Sequence, residues 1–196
     1  MLKHYLRAYS ATSVLLWLAL FLWFWLADKS WIWPLVIVQG FAILDVFHSA
    51  FRFVKASVLM VLAQYLARMF ITGVLFIANY QWPIAESEVV RIGTGLIFLA
   101  WPASEVIRHS YYLKLPSTFW QAKITFLRYS AFLVLYPVGV TAESLLMGKT
   151  GIFAYTAGGY TWMWIIVFAF VCYILFFPKL YLYLYRQRKK TLKNEQ

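Results

Sequence analysis

Tyr136 and Glu143 stand seven residues apart in a segment, 128–143, that is otherwise apolar enough to cross a membrane. An ionisable carboxylate at that depth costs at least about 2.5 kcal/mol, so it needs a reason to be there. Seven residues are two helical turns, which puts both side chains on one helix face. A phenol and a carboxylate facing one cavity form an acid–base pair. Pro137 lies between them, with Gly139 close behind. A helix-interior proline cannot donate to the backbone ladder and clashes one turn back, so a kink is predicted there. A kink frees carbonyls and opens space, which suits a pocket better than a packed seam.

Other polar residues recur at depth: Gln39, Asp45 and His48; Gln64 and Arg68; Arg91, Glu105 and Arg108; Arg128. Asp45 with His48 and Glu105 with Arg108 are i,i+3 pairs, and Gln64 with Arg68 is i,i+4, so each pair shares a face. Glu105 with Arg108 is expected as a buried ion pair that fixes helix packing, since a buried charge left unpaired is expensive. Arg91 is expected to snorkel to the interface. His48 lies near a span end, where an interfacial position is the competing reading. No His, Asp and Glu set has the spacing of a known zinc motif, and HExxH is absent, so no metal is expected. Cys172 is the single cysteine, which rules out a disulfide framework within the chain and leaves a small packed side chain.

The elements that must carry these residues are membrane helices. The chain is 63% hydrophobic and only 13% charged. Its apolar runs approach or exceed the roughly 20 residues that cross about 30 Å of hydrocarbon. Six spans are predicted, near 11–27, 31–51, 56–78, 89–112, 124–147 and 160–185. The runs are too long for barrel strands and do not alternate. The expectation is an all-α membrane protein: one integral membrane domain over 1–196, built as a six-transmembrane-helix bundle. The first span has no small-residue cleavage site after it and is read as retained.

Charge sets the expected orientation. Lys3, Arg7, Arg52, Lys55, Lys114, Lys123 and the tail 186–193 fall on one side; Lys29 and Lys149, diluted by Asp28, Glu86 and Glu88, fall on the other. The positive-inside rule then puts both termini in the cytosol. The net charge of +11 sits mostly on that rim. It suits anionic lipid and an anionic ligand alike. The basic residues flank spans and form no reading module, so no nucleic-acid partner is expected.

Arg128-Tyr129, Leu135-Tyr136-Pro137-x-Gly139 and Glu143 resemble the signature of the membrane 3-hydroxyacyl-CoA dehydratases, the group also called protein-tyrosine-phosphatase-like. Four further motifs are similar in order along the chain. They are Gln39-x-x-Ala42-x-Leu44-Asp45-Val46-x-His48, with Asp45 where glutamate is usual; Gln64-x-x-x-Arg68; Trp101-x-x-x-Glu105-x-x-Arg108-x-x-Tyr111-Tyr112; and Phe177-Pro178-x-Leu180-Tyr181. Ala67, His109 and Ala142 depart from the usual residues and leave the Tyr–Glu spacing intact. The resemblance implies a six-helix bundle whose catalytic residues are Tyr136 and Glu143. It implies the third step of very-long-chain fatty acid elongation, in which a (3R)-3-hydroxyacyl-CoA loses water to give a trans-2-enoyl-CoA. It also implies an endoplasmic reticulum membrane if the source is eukaryotic. The implied partners are the condensing enzyme, the ketoacyl-CoA reductase and the enoyl-CoA reductase. A phosphatase is excluded, because the loop it needs has arginine six positions after cysteine, and Pro178 stands there after Cys172.

Dehydration β to a thioester needs a base for the α-proton and an acid for the departing hydroxyl, and this pair supplies both with no cofactor. Glu143 is assigned first as the base and Tyr136 as the donor. The reverse needs a phenolate, from a group that titrates near pH 10 in water, with Arg128 as a candidate helper. Glu143 as a protonated acid is the third arrangement, and the spacing does not choose among them. The CoA phosphates are expected at the basic rim, with Arg52, Lys55, Lys114 and Lys123 as candidates, and the acyl chain among the helices of the bilayer. Gln64, Arg68, Asp45, His48, Glu105 and Arg108 are expected as supporting residues. Tyr129 and Tyr155 serve as inert comparisons. The rival reading is a non-enzymatic membrane scaffold or lipid-binding protein whose buried charges only pair helices. A proton-coupled transporter is a third, but broken helices in duplicated halves are not visible.

Overall fold

The computed structural model describes residues 1–26, 31–80, 86–114 and 116–193. Seven helices follow one another: α1 (Leu2–Leu26), α2 (Ile32–Ala50), α3 (Val58–Tyr80), α4 (Glu88–Leu113), α5 (Thr118–Ser130), α6 (Phe132–Thr156) and α7 (Tyr160–Lys193). No strand occurs among the described residues. Every helix except α5 is long and apolar enough to cross a membrane. Asp28 and Lys29, two of the charges used for orientation, lie outside the described residues.

Two predicted boundaries move outward. α1 begins at Leu2 and not near 11, and α7 runs to Lys193 and not 185. Both extensions are basic and invisible to hydropathy, yet lysine, arginine and glutamine are good helix formers. One prediction is corrected in kind. The stretch 124–147 is not one span but α5 followed by α6, divided at Ala131. The Ala131 N–H donates to the Leu127 carbonyl at 2.8 Å, and its own carbonyl accepts from both Val134 at 3.1 Å and Leu135 at 2.9 Å. A three-residue bond thus joins the four-residue one, and the turn tightens. α5 starts at Ser117, whose hydroxyl caps the Trp120 N–H. It exposes Phe119, Trp120, Phe126 and Leu127, and Lys123 lies over the Phe119 and Trp120 rings. Trp, Phe and Leu beside Lys and Arg are the composition of a helix that lies in a membrane interface.

α4 and α6 form the central pair, with α1 packed on α4, α3 and α7 on α6, and α2 on α3 and α1. Gly93 allows the central approach. A Cβ there would meet the Leu146 side chain at 3.1 Å and the Ala142 carbonyl at 3.2 Å. Trp17, Leu20, Ile32, Leu35, Phe98, Trp101, Leu146 and Met147 fill the core around this contact. Large apolar side chains on the outer faces stay exposed, Ile37, Ile92, Ile152 and Phe168 among them. In a bundle of this composition those faces suit lipid.

α6 is helical through Pro137, as α4 is through Pro102 and α7 through Pro178. Each proline removes one backbone hydrogen bond, at the carbonyls of Leu133, Phe98 and Ile174. Each is flanked by residues that line one cavity. The helices are therefore loosened at the level where the bundle is hollow.

Candidate active site

That cavity measures about 650 Å³. Its walls come from the first half of α3, the second half of α4, the first half of α6 and the middle and later part of α7, with Arg128 and Tyr129 from α5. These are the helix ends nearest the start of α1 and the basic end of α7 in an up-and-down bundle. Tyr136 and Glu143 both line it. The Tyr136 ring stacks on Phe177 of α7, with centroids 5.2 Å apart and planes 6° from parallel. Glu143 is 8% exposed. The Trp101 indole N–H donates to its Oε1 at 2.9 Å. The Tyr173 hydroxyl faces the same carboxylate. Among the described residues no cation forms a salt bridge with Glu143.

The nearest cation is engaged elsewhere. Arg68 Nη1 donates to Glu105 Oε1 at 2.6 Å, and its guanidinium lies 5.6 Å from the centre of the Trp101 ring and 5.9 Å from that of Trp17. Arg108 donates to Glu105 Oε2 through Nε at 2.9 Å and Nη2 at 2.6 Å, and Nη2 also donates to Asp45 Oδ2. Glu105, buried in α4, thus ties α3 to α4, and Arg108 ties α4 to α2. The i,i+3 spacing of Glu105 and Arg108 exposes half of this network; Arg68 and Asp45 join it only through tertiary packing.

Of the residues singled out in the sequence, Gln64, Arg68, Glu105, Arg108, Arg128, Tyr136 and Glu143 line the cavity. Asp45 stands behind it on Arg108. His48 is buried on the α1 side, 2.9 Å from the Tyr5 hydroxyl and edge-on to Tyr9. The four rim cations proposed for phosphate do not line the cavity. Arg52 and Lys114 sit just past the ends of α2 and α4 with φ of 57° and 50°, Lys55 is exposed in the loop after α2, and Lys123 covers the aromatic rings of α5. Arg128 and Lys179 are the cavity's basic residues outside the ion-pair network. Tyr129 also lines it, so it is no inert comparison, whereas exposed Tyr155 stands apart from it. Trp101 and Tyr173 touch the carboxylate without having been singled out for it. With ten tryptophans and fourteen tyrosines, residue type could not mark them.

Asp45, Glu105 and His109 bring ligand atoms within 4.8 Å of one another, a grouping that the spacing of 45 and 105 hides. Arg108 already donates to both carboxylates and Arg68 to Glu105, so two guanidinium groups balance the two carboxylates.

The family described as protein tyrosine phosphatase-like protein, PTPLA, matches residues 39–194. The chain is 31% identical to a Caenorhabditis elegans protein named very-long-chain (3R)-3-hydroxyacyl-CoA dehydratase hpo-8, over 96% of this chain and 94% of that one. A Schizosaccharomyces pombe protein, named as a probable dehydratase of the same kind, is 30% identical over 97% of this chain and 93% of its own length. Very-long-chain (3R)-3-hydroxyacyl-CoA dehydratase 2 of Mus musculus is 30% identical over 83% of this chain and 66% of its own length. No solved structure matches the chain.

Proposed function

The chain belongs to the protein tyrosine phosphatase-like family, and on that footing we propose that it removes water from a (3R)-3-hydroxyacyl-CoA to give a trans-2-enoyl-CoA. The names of its relatives support the reaction. The observation that carries it is a phenol and a carboxylate lining one cavity, with the carboxylate bound by an indole N–H and free of a salt bridge among the described residues. A scaffold would use Glu143 as it uses Glu105, locked to cations.

The Trp101 N–H meets a Glu143 oxygen that accepts in either protonation state, and we assign the carboxylate form as the base. Glu143 takes the proton from C2, the C2–C3 double bond forms, and the C3 hydroxyl leaves as water with the proton from Tyr136. Seven residues of helix rise about 10 Å between the two Cα atoms, room for C2 and C3 between the side chains. The direct test is purified protein, a 3-hydroxyacyl-CoA and the appearance of enoyl-CoA. No product from any chain length would refute the reaction.

The proposal extends to setting. The protein acts as a multi-pass enzyme of the endoplasmic reticulum membrane, a single domain with both termini cytosolic. It catalyses the third step of very-long-chain elongation beside the condensing enzyme and the two reductases. The charge asymmetry supports the orientation. A cysteine placed at either terminus should react with a reagent confined to the cytosolic side; labelling from the lumen instead would reverse the topology.

Arg128 and Lys179 are the phosphate-facing candidates on this reading. Arg128→Ala and Lys179→Ala are each expected to raise KM about tenfold with kcat nearly unchanged, the mark of lost uniform binding to a charged group. Lys114→Ala should change neither constant. An equal rise in KM in all three would move CoA out to the rim.

A further inference from the structure

A second, smaller cavity of about 150 Å³ lies further along three of the helices that wall the first, α3, α6 and α7. On α3 the first cavity takes residues up to Arg68, and the second begins at Met69 and continues through Phe70, Gly73, Val74 and Ile77. On α6 it takes Thr150, two turns beyond Glu143 and on the same face. On α7 it takes Trp162 and Ile166, below Cys172 and Tyr173. α3 and α7 both pack on α6, so the two cavities occupy successive levels of one cleft.

The chemistry changes between the levels. The first holds the charged and phenolic groups; the second is apolar apart from the buried Thr150 hydroxyl. Apolar space of about 150 Å³ accepts guests the size of benzene. Gly73 leaves its wall open, since a Cβ built there meets nothing within 4 Å. The first cavity holds the reacting carbons in the proposed function, and a tail leaving it along α6 meets the second cavity at Thr150.

We propose that this second cavity receives the distal part of the substrate's acyl chain, and that Gly73 and Trp162 set how long that chain can be. The inference rests on the dehydratase reading of Tyr136 and Glu143. Thr150, the cavity's residue on α6, lies about 10 Å of helix beyond Glu143, so short tails stop before it. Met69 stands at the boundary between the levels, and its unbranched side chain can yield to a passing chain.

The test is a series of 3-hydroxyacyl-CoA substrates of increasing chain length with the full-length purified protein. Gly73→Leu fills open space, so it should fold and process short substrates as the parent does. Its kcat/KM should fall at least about tenfold once the tail reaches the cavity, the scale on which a hydrophobic pocket discriminates one methylene. Trp162→Ala is the opposing variant; Trp162 is half exposed, and its loss opens the cavity wall. It should shift the optimum to longer chains. A loss in Gly73→Leu that is equal at all chain lengths would overturn the proposal. So would unchanged profiles in both variants, which would leave the cavity to a membrane lipid. An inactive parent is a different result: it removes the dehydratase reading itself, on which this one depends.

Discussion

Glu143→Gln and Tyr136→Phe are each expected to lower dehydratase turnover by about 10²–10⁴-fold, the usual contribution of a general acid or base. The glutamine variant keeps the shape of the side chain and an oxygen that accepts from Trp101, and it loses the proton acceptor. The phenylalanine variant keeps the ring that stacks on Phe177 and loses only the hydroxyl. Folded yield and KM should therefore stay near those of the parent. If both groups act in one elimination, the double variant should be little slower than the slower single one, since groups that work as a unit are not additive. Tyr155→Phe is the proper control, because Tyr155 is exposed and does not line the cavity. The measurement requires protein free of host dehydratase. Parental turnover in Glu143→Gln would return that carboxylate to a packing role.

The second large effect is on stability. Glu105 is nearly sealed from solvent and accepts from two guanidinium groups at 2.6 Å each. Glu105→Ala leaves Arg68 without its carboxylate and Arg108 with Asp45 alone. Breaking a buried pair from one side typically costs about 3–5 kcal/mol, because a charge remains without its partner. Thermal unfolding in detergent should show a clearly lowered midpoint. Activity should fall as well, for a geometric reason. Arg68 lies over the ring of Trp101, and Trp101 holds Glu143. An unchanged midpoint would mean that water or lipid replaces Glu105, and that the network is not what fixes α3 against α4.

The sequence carried the helices and the central pair for a plain reason. Long apolar runs interrupted by few charges have one structural solution in lipid, and i,i+7 spacing survives any packing of the helix that bears it. Division of the fifth run at Ala131 was not legible, because neither glycine nor proline stands there and apolar residues, Phe126, Leu127, Phe132 and Leu133, flank it on both sides. Pro137, the visible breaker, lies inside α6, six residues further on. The partners of Glu143 were hidden for another reason: Trp101 and Tyr173 come from helices far apart in the chain, and only packing brings them together. The rim cations illustrate the limit of charge counting. It sorts residues by side of the membrane but not by distance from a cavity, so Arg128 and Lys179 could not be separated from Lys55 and Lys114.

α5 gives the proposed enzyme a property that its catalytic residues do not. A short helix with exposed Phe119, Trp120, Phe126 and Leu127 has the composition of one that lies between water and hydrocarbon, and its last turn delivers Arg128 and Tyr129 to the cavity. On the proposed function, the side of the cavity that α5 borders then faces the plane where an amphiphile with a long tail and an anionic head resides. Lateral diffusion in two dimensions is the expected route of arrival and departure for such a substrate. The quantity that governs its rate is then mole fraction in the bilayer, not molarity in the buffer. Adding inert lipid at constant substrate dilutes the surface and slows the reaction, while adding water at constant lipid leaves it unchanged.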